Sequence, residues 1–256
     1  MMPEYFLLVL ILLSVGVLAG FSAGLFGVGG GAVMVPALYY AFNVIGVSDE
    51  LVMHCAVATS SAIIIFNSLR AVKSHNKLGA IDWELLWPDS ILSSYVFWIV
   101  IGSFFAASFL ASIMSAQFLI ILFAMVMILV SLHFIFGNNN LEIRSSIPTG
   151  LATPIIGSLV GALSSLMGIG GGSITVPLMN MCRIPMNRAV ATASGFGFAI
   201  SLPATIGFII SGWGIDGRPS FSLGYVNVVA LVCILSSAIT VSRFSGCRRL
   251  KLWGYV

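Results

Sequence analysis

The sequence predicts an all-α, polytopic membrane protein built from two related halves, on three observations. The chain has 256 residues, 59% of them hydrophobic and only 7% charged, with a mean hydropathy of +1.10. A soluble domain of this size needs a charged surface that this composition does not supply. The charge is also segregated, with no Asp, Glu, Lys or Arg in 90–141, 145–182, 189–215 or 219–242. Finally, an apolar run broken by glycines occurs twice. Residues 20–36, GFSAGLFGVGGGAVMVP, return at 161–177 as GALSSLMGIGGGSITVP.

Taken in order, the apolar segments fall at about 5–26, 29–46, 52–72, 89–113, 115–136, 148–168, 171–182, 189–211 and 222–243. They are continuous, and most are long enough to cross a bilayer as helices. A transmembrane β-barrel would instead alternate apolar and polar residues over about ten positions. The N-terminus, MMPEY, lacks the basic region of a secretory signal, so the first stretch is read as a retained membrane segment. Segment 171–182 ends at Arg183 and is too short to span. It reads as a half-helix or the return arm of a re-entrant hairpin, and 29–46 as the same kind of object.

The duplication extends past the glycines. AVATSS at 56–61 matches AVATAS at 189–194, and LGAIDWELL at 78–86 matches LGYVNVVAL at 223–231. Three blocks in one order define repeats over 1–136 and 148–256, joined by the polar link 137–147. Two interrupted apolar segments at corresponding positions are a pointer to a transporter assembled from repeats. The second repeat is shorter after its last block and lacks the counterpart of the final helix of the first, either by evolution or by truncation. That would leave apolar surface for lipid or for a second copy of the chain, a homo-oligomer.

Charge sets the expected topology. Arg70, Lys73, Lys77, Arg144, Arg183, Arg188, Arg243, Arg248, Arg249 and Lys251 fall on one side of the membrane, and only Arg218 on the other. The positive-inside rule puts the ten in the cytoplasm, with the C-terminus inside and the N-terminus outside. The loops of the two repeats carry opposite charge bias, which predicts inverted repeats. Trp83, Trp87 and Trp213 are expected as interfacial anchors.

The glycines carry the main chemical expectation. A helix that restarts inside a membrane presents unpaired N–H groups and the positive end of its dipole, which together bind anions. Gly29, Gly30 and Gly31 in one half and Gly170, Gly171 and Gly172 in the other would face each other near the midplane and hold an oxyanion without a buried cation. Glycines spaced as Gly157/Gly161 and Gly168/Gly172 are equally explained by close helix packing. Thr59 and Thr192 match between the halves and are candidate hydroxyl donors to substrate; back-bonding to their own helix is the plainer role. Asn67 either lines the path or stabilises a helix contact. No carboxylate lies well inside a span, and His54 and His133 sit toward segment ends, so no coupling apparatus is evident.

Other chemistries fit poorly. Neither glycine loop carries the Lys-Ser/Thr of a phosphate-binding loop. Cys55, Cys182, Cys233 and Cys247 form no close pair, so neither metal nor disulfide is assigned, and no cofactor is expected. The scattered basic residues do not form a nucleic-acid surface. No His cluster, Cys–His pair or carboxylate pair shares a span, which argues against an enzyme.

With GLFGVGGG at 24–31 and Pro36, GIGGG at 168–172 and Pro177, and the two Ala-Thr-Ser-type blocks, the chain resembles the sulfite exporter TauE/SafE family of membrane permeases. The resemblance implies a multi-pass protein of a bacterial inner membrane that moves small anions, sulfite or organosulfonates among them. The alternative is a non-transporting membrane scaffold whose glycines only pack helices.

Overall fold

The computed structural model describes residues 13, 14, 16, 17, 30–87, 94–136, 150 and 152–237. The first apolar segment (apart from four of its residues), Gly29, the 137–147 link, the basic C-terminus and both chain ends lie outside them. The expected termini orientation and the shortened end of the second half are therefore not among the described features.

The described chain is helical, as its composition predicts. In order, the helices are α1 (Gly31–Val44), α2 (Val52–Lys77), the single turn α3 (Trp83–Leu86), α4 (Tyr95–Ile113), α5 (Ala116–Phe136), α6 (Ala152–Met167), α7 (Gly172–Asn180), α8 (Met186–Ser211) and α9 (Val228–Ser237). Four of them, α2, α4, α5 and α8, are long and apolar enough to cross a membrane. α5 shows why the surroundings must be lipid. It is apolar on every side, yet Ile121, Ile128, Ile135 and Phe136 are all exposed. Such a helix is stable only where the solvent is hydrocarbon.

Two details depart from the segments read in sequence. The region 222–243 opens as a small antiparallel hairpin, Ser222–Leu223 with Val226–Asn227, before α9 begins. The 52–72 segment is longer than its apolar run, since α2 carries on through the basic stretch to Lys77. α7 is nine residues long and rises about 13 Å, well short of a bilayer core. α1, with 14 residues, rises about 21 Å and also stops short.

α2 and α8 are the central pair. They pack on each other, α2 carries α1, and α8 carries α4 and α7. Matched residues of the short helices are buried alike: Val35 and Leu38 in α1, Val176 and Met179 in α7. Small residues bring backbones together, as the helix-packing role predicts. A methyl group on Gly161 would lie 3.0 Å from Ile99 Cα, and one on Gly102 would lie 2.7 Å from Ser158 Cα, so α4 and α6 touch almost backbone to backbone. α4 widens into a π-turn over Ala106–Leu110, and Ser211 of α8 donates to the Ala107 carbonyl at 3.1 Å.

His54 is buried and ties α2 to the end of α4. Nε2 lies 2.9 Å from the Ala111 carbonyl and 3.2 Å from that of Met114, while Nδ1 lies 3.1 Å from Glu50 O. Its ring stacks on Tyr225 of the hairpin at 5.2 Å. Burial pushes the Tyr225 phenol above its usual range, Cys55 adds to the rise, and Arg218 opposes it. His54 is thus a structural link between α2, the end of α4 and the hairpin.

Candidate functional site

Both glycine breaks end in the same local geometry. Gly30 (φ 74°) and Gly171 (φ 76°) are left-handed residues that directly precede the first residues of α1 and α7. Side-chain-bearing residues rarely adopt that conformation, which is why glycine stands at both. The Gly30 carbonyl accepts from Val33 and Met34 at 3.2 and 3.1 Å, and the Gly171 carbonyl from Ile174 and Thr175 at 3.0 and 2.7 Å. Pro36 and Pro177 each occupy the sixth position of the restarted helix. The restart helices differ at their far ends: α1 closes on Gly46 (φ 82°), and α7 on Arg183 (φ 63°) in the same type of turn, after a shorter run.

The two breaks meet. A methyl group on Gly31 would lie 2.6 Å from Ile169 Cα and 2.7 Å from Gly168 O, so the start of α1 rests on the backbone just before α7. Gly168 in turn backs onto Val57 of α2, with the Val57 carbonyl 2.8 Å from where a Cβ would be. Ser60 donates to Gly168 O at 2.8 Å, satisfying a carbonyl at the end of α6. Gly170 faces Ile64 of α2, and Gly197 of α8 approaches Gly170 O. No acceptor for the N–H of Gly172 or Ser173, and none for that of Gly31 or Ala32, occurs among the described residues. These are the groups that a helix start leaves free.

The matched threonines turn elsewhere. Thr59 Oγ1 accepts the backbone N–H of Asn227 at 3.0 Å, and Thr192 Oγ1 accepts that of Asp82 at 3.0 Å. Asp82 and Asn227 are themselves counterparts in the duplicated sequence, so each half holds the start of a helix in the other. Neither bond is the back-bonding expected within one helix, which Ser61 and Ser194 do adopt. Both threonines are fully buried, and these bonds point their acceptor sides at α9 and α3 rather than at the glycine breaks.

Among the described residues, two buried side-chain atoms have no hydrogen-bond partner: Asn67 Nδ2 and Ser164 Oγ. Leaving such a group unpaired costs about 1–3 kcal/mol. Asn67 lies one turn beyond Ile64 on α2 and so neighbours the residue that covers Gly170. In the duplicated register its counterpart is Ile200, whose terminal methyl occupies the place of a Gly171 Cβ. Ser164 was not among the residues singled out from sequence. The available signal was a hydroxyl one turn before the second break, where the first copy has Ala23. Among the described residues no Asp, Glu, Lys or Arg is buried, and no group of His, Cys, Asp or Glu is placed to hold a metal.

A polytopic helical protein with two broken helices meeting in its interior has the architecture of a membrane transporter. The family described as Sulfite exporter TauE/SafE matches residues 12–246. The chain belongs to that family. It is 32% identical over 250 residues to a probable membrane transporter protein of Haemophilus influenzae, covering 96% of this chain and 91% of that one. A probable membrane transporter protein of Methanocaldococcus jannaschii is 27% identical over 230 residues, covering 90% and 82%. The Bacillus subtilis probable membrane transporter protein YunE is 27% identical over 225 residues, covering 79% and 78%. No solved structure matches the chain.

Proposed function

We propose that the chain is a permease for small organic or inorganic anions, foremost sulfur-containing oxyanions of the sulfite or organosulfonate type, in a bacterial inner membrane. The observation that carries this reading is the pair of helix starts at Gly30 and Gly171. They share one geometry, the first rests on the backbone at Gly168 and Ile169 just before the second, and among the described residues their first N–H groups have no acceptor and no cation is buried. Free N–H groups and the helix dipole favour an anion there. The reciprocal bonds of Thr59 and Thr192 support two repeats, 1–136 and 148–256, related by a pseudo-two-fold axis. Inversion of one repeat in the membrane, with a cytoplasmic C-terminus, follows from the charge bias of the loops. With no buried carboxylate among the described residues to relay protons, movement down the anion gradient, or coupling through the anion's own protonation, is the mechanism that these residues support.

A scaffold without transport is favoured by one observation, the backbone contacts at Gly31, Gly102, Gly161 and Gly168. Flux separates the two. Purified protein in liposomes should carry at least one labelled anion from a panel of sulfite, sulfoacetate, thiosulfate, acetate and chloride. Folded protein that moves none of them would leave the scaffold reading.

A further inference from the structure

We propose that the start of α7 is a site for the head group of a singly charged oxyanion, of sulfonate, carboxylate or hydrogensulfite type, held by Ser164 Oγ–H and the N–H groups of Gly172 and Ser173, and that it discriminates against doubly charged anions. The proposal rests on the permease reading above and adds to it a donor and a charge selectivity.

Ser164 is fully buried near the end of α6, and its Oγ has no partner. It lies 3.7 Å from the position that a Gly171 Cβ would take, so it is aimed at the start of α7. Its neighbour Ser165 shows the usual alternative, donating back to the Ala162 carbonyl at 2.9 Å. Ser164 does not. The atoms nearest this point are the unpartnered Ser164 hydroxyl and the terminal methyl of Ile200, which covers Gly171. The terminal methyl lies on a rotatable bond, so an anion would have to displace it but not the backbone. The Ser164 hydroxyl and the N–H groups of Gly172 and Ser173 can all donate at once, which suits a head group that only accepts.

Charge selectivity follows from the absence of a cation among the described buried residues. Attraction to fixed dipoles grows in proportion to the ligand's charge. The cost of removing the ligand from water grows as the square of that charge, about fourfold from a monoanion to a dianion. A site of hydroxyl, amide N–H and half a helix-dipole charge offsets the first and not the second.

The test uses the full chain in detergent and in liposomes, with methanesulfonate and sulfate as probes at equal ionic strength. Methanesulfonate should raise the melting temperature of the wild type and be carried; sulfate should do neither beyond its general salt effect. Ser164→Ala, compared at the same salt, should melt without anion at or above the wild-type temperature, since it loses no hydrogen bond and removes an unpaired buried hydroxyl. Its half-saturating methanesulfonate concentration should rise about tenfold or more, the loss expected for a hydrogen bond to a charged ligand. Equal affinity for sulfate, or unchanged affinity in Ser164→Ala, would overturn the site. Flux with unchanged Ser164→Ala affinity removes the site and spares the permease. Binding without flux of any anion spares the site and removes the permease. Neither binding nor flux removes both.

Discussion

Replacing Thr59 by Val tests whether the matched threonines hold the fold or touch the cargo. Valine keeps the shape and deletes the oxygen. At Thr59 the deletion leaves the N–H of Asn227 without an acceptor, in a place where both residues are at most 5% exposed. A buried orphan of this kind costs about 1–3 kcal/mol. Thr192→Val orphans the N–H of Asp82 in the same way, but Asp82 is only half-buried and water can take over. The cost there should fall to about 0.5–1.5 kcal/mol, the net value of an ordinary hydrogen bond. The two bonds share no partner, so the double variant should add to within about 0.5 kcal/mol. The assay is reversible unfolding in mixed micelles, with Thr59→Ser, which keeps the oxygen, as control. Anion flux per folded molecule should be unchanged in both valine variants. Wild-type stability in Thr59→Val, or a larger loss at Thr192, would refute the structural account. Lost flux per folded molecule at full stability would return the threonines to the substrate path.

Other consequences are as direct. Gly31→Ala should abolish folded protein, because its methyl group meets the backbone of Gly168 and Ile169, which cannot turn aside; Gly79→Ala, with nothing within 4 Å, should cost only the roughly 1 kcal/mol of a left-handed alanine, read by yield and melting temperature. His54→Leu should destabilise by about 1–3 kcal/mol, since the carbonyls at the end of α4 lose their buried donor; an unchanged melting temperature would show that the ring is dispensable. A cytoplasm-active reporter fused after Val256 should be active, and activity of a periplasm-only reporter there would reverse the topology.

The helices were legible because composition leaves few alternatives. Stretches such as 116–136, with no charge and no alternation, read as spanning helices, and α5 is a helix long and apolar enough to cross a membrane. The glycine breaks were legible too, because GGG followed by a proline cannot continue a membrane helix undisturbed. The hairpin at 222–227 was not, since Ser-Leu-Gly-Tyr-Val-Asn reads as a helix entry in an apolar context and only Gly224 (φ 59°) marks the turn. The roles of Thr59 and Thr192 were legible as a pair but not as a contact. Their partners lie more than a hundred residues away in sequence, and no local pattern announces a bond to a backbone N–H.

Glycine is a poor witness to binding in this protein, even where it forms the site. Gly171 is already required by its left-handed backbone, and a methyl group there would meet Ile200 whether or not an anion ever approaches. Loss of flux in Gly171→Ala would therefore report strain and collision together with any lost ligand. A substitution informs on binding only where the native group has no structural role to lose. Ser164 meets that condition because its oxygen bonds to nothing in the protein, and Asn67 Nδ2 meets it for the same reason. A buried polar atom costs stability when unpaired, and the serine stands where the other copy of the repeat has Ala23. The hydroxyl is therefore the more discriminating place to ask what this membrane protein binds, and the glycines explain only how a helix start came to lie beside it.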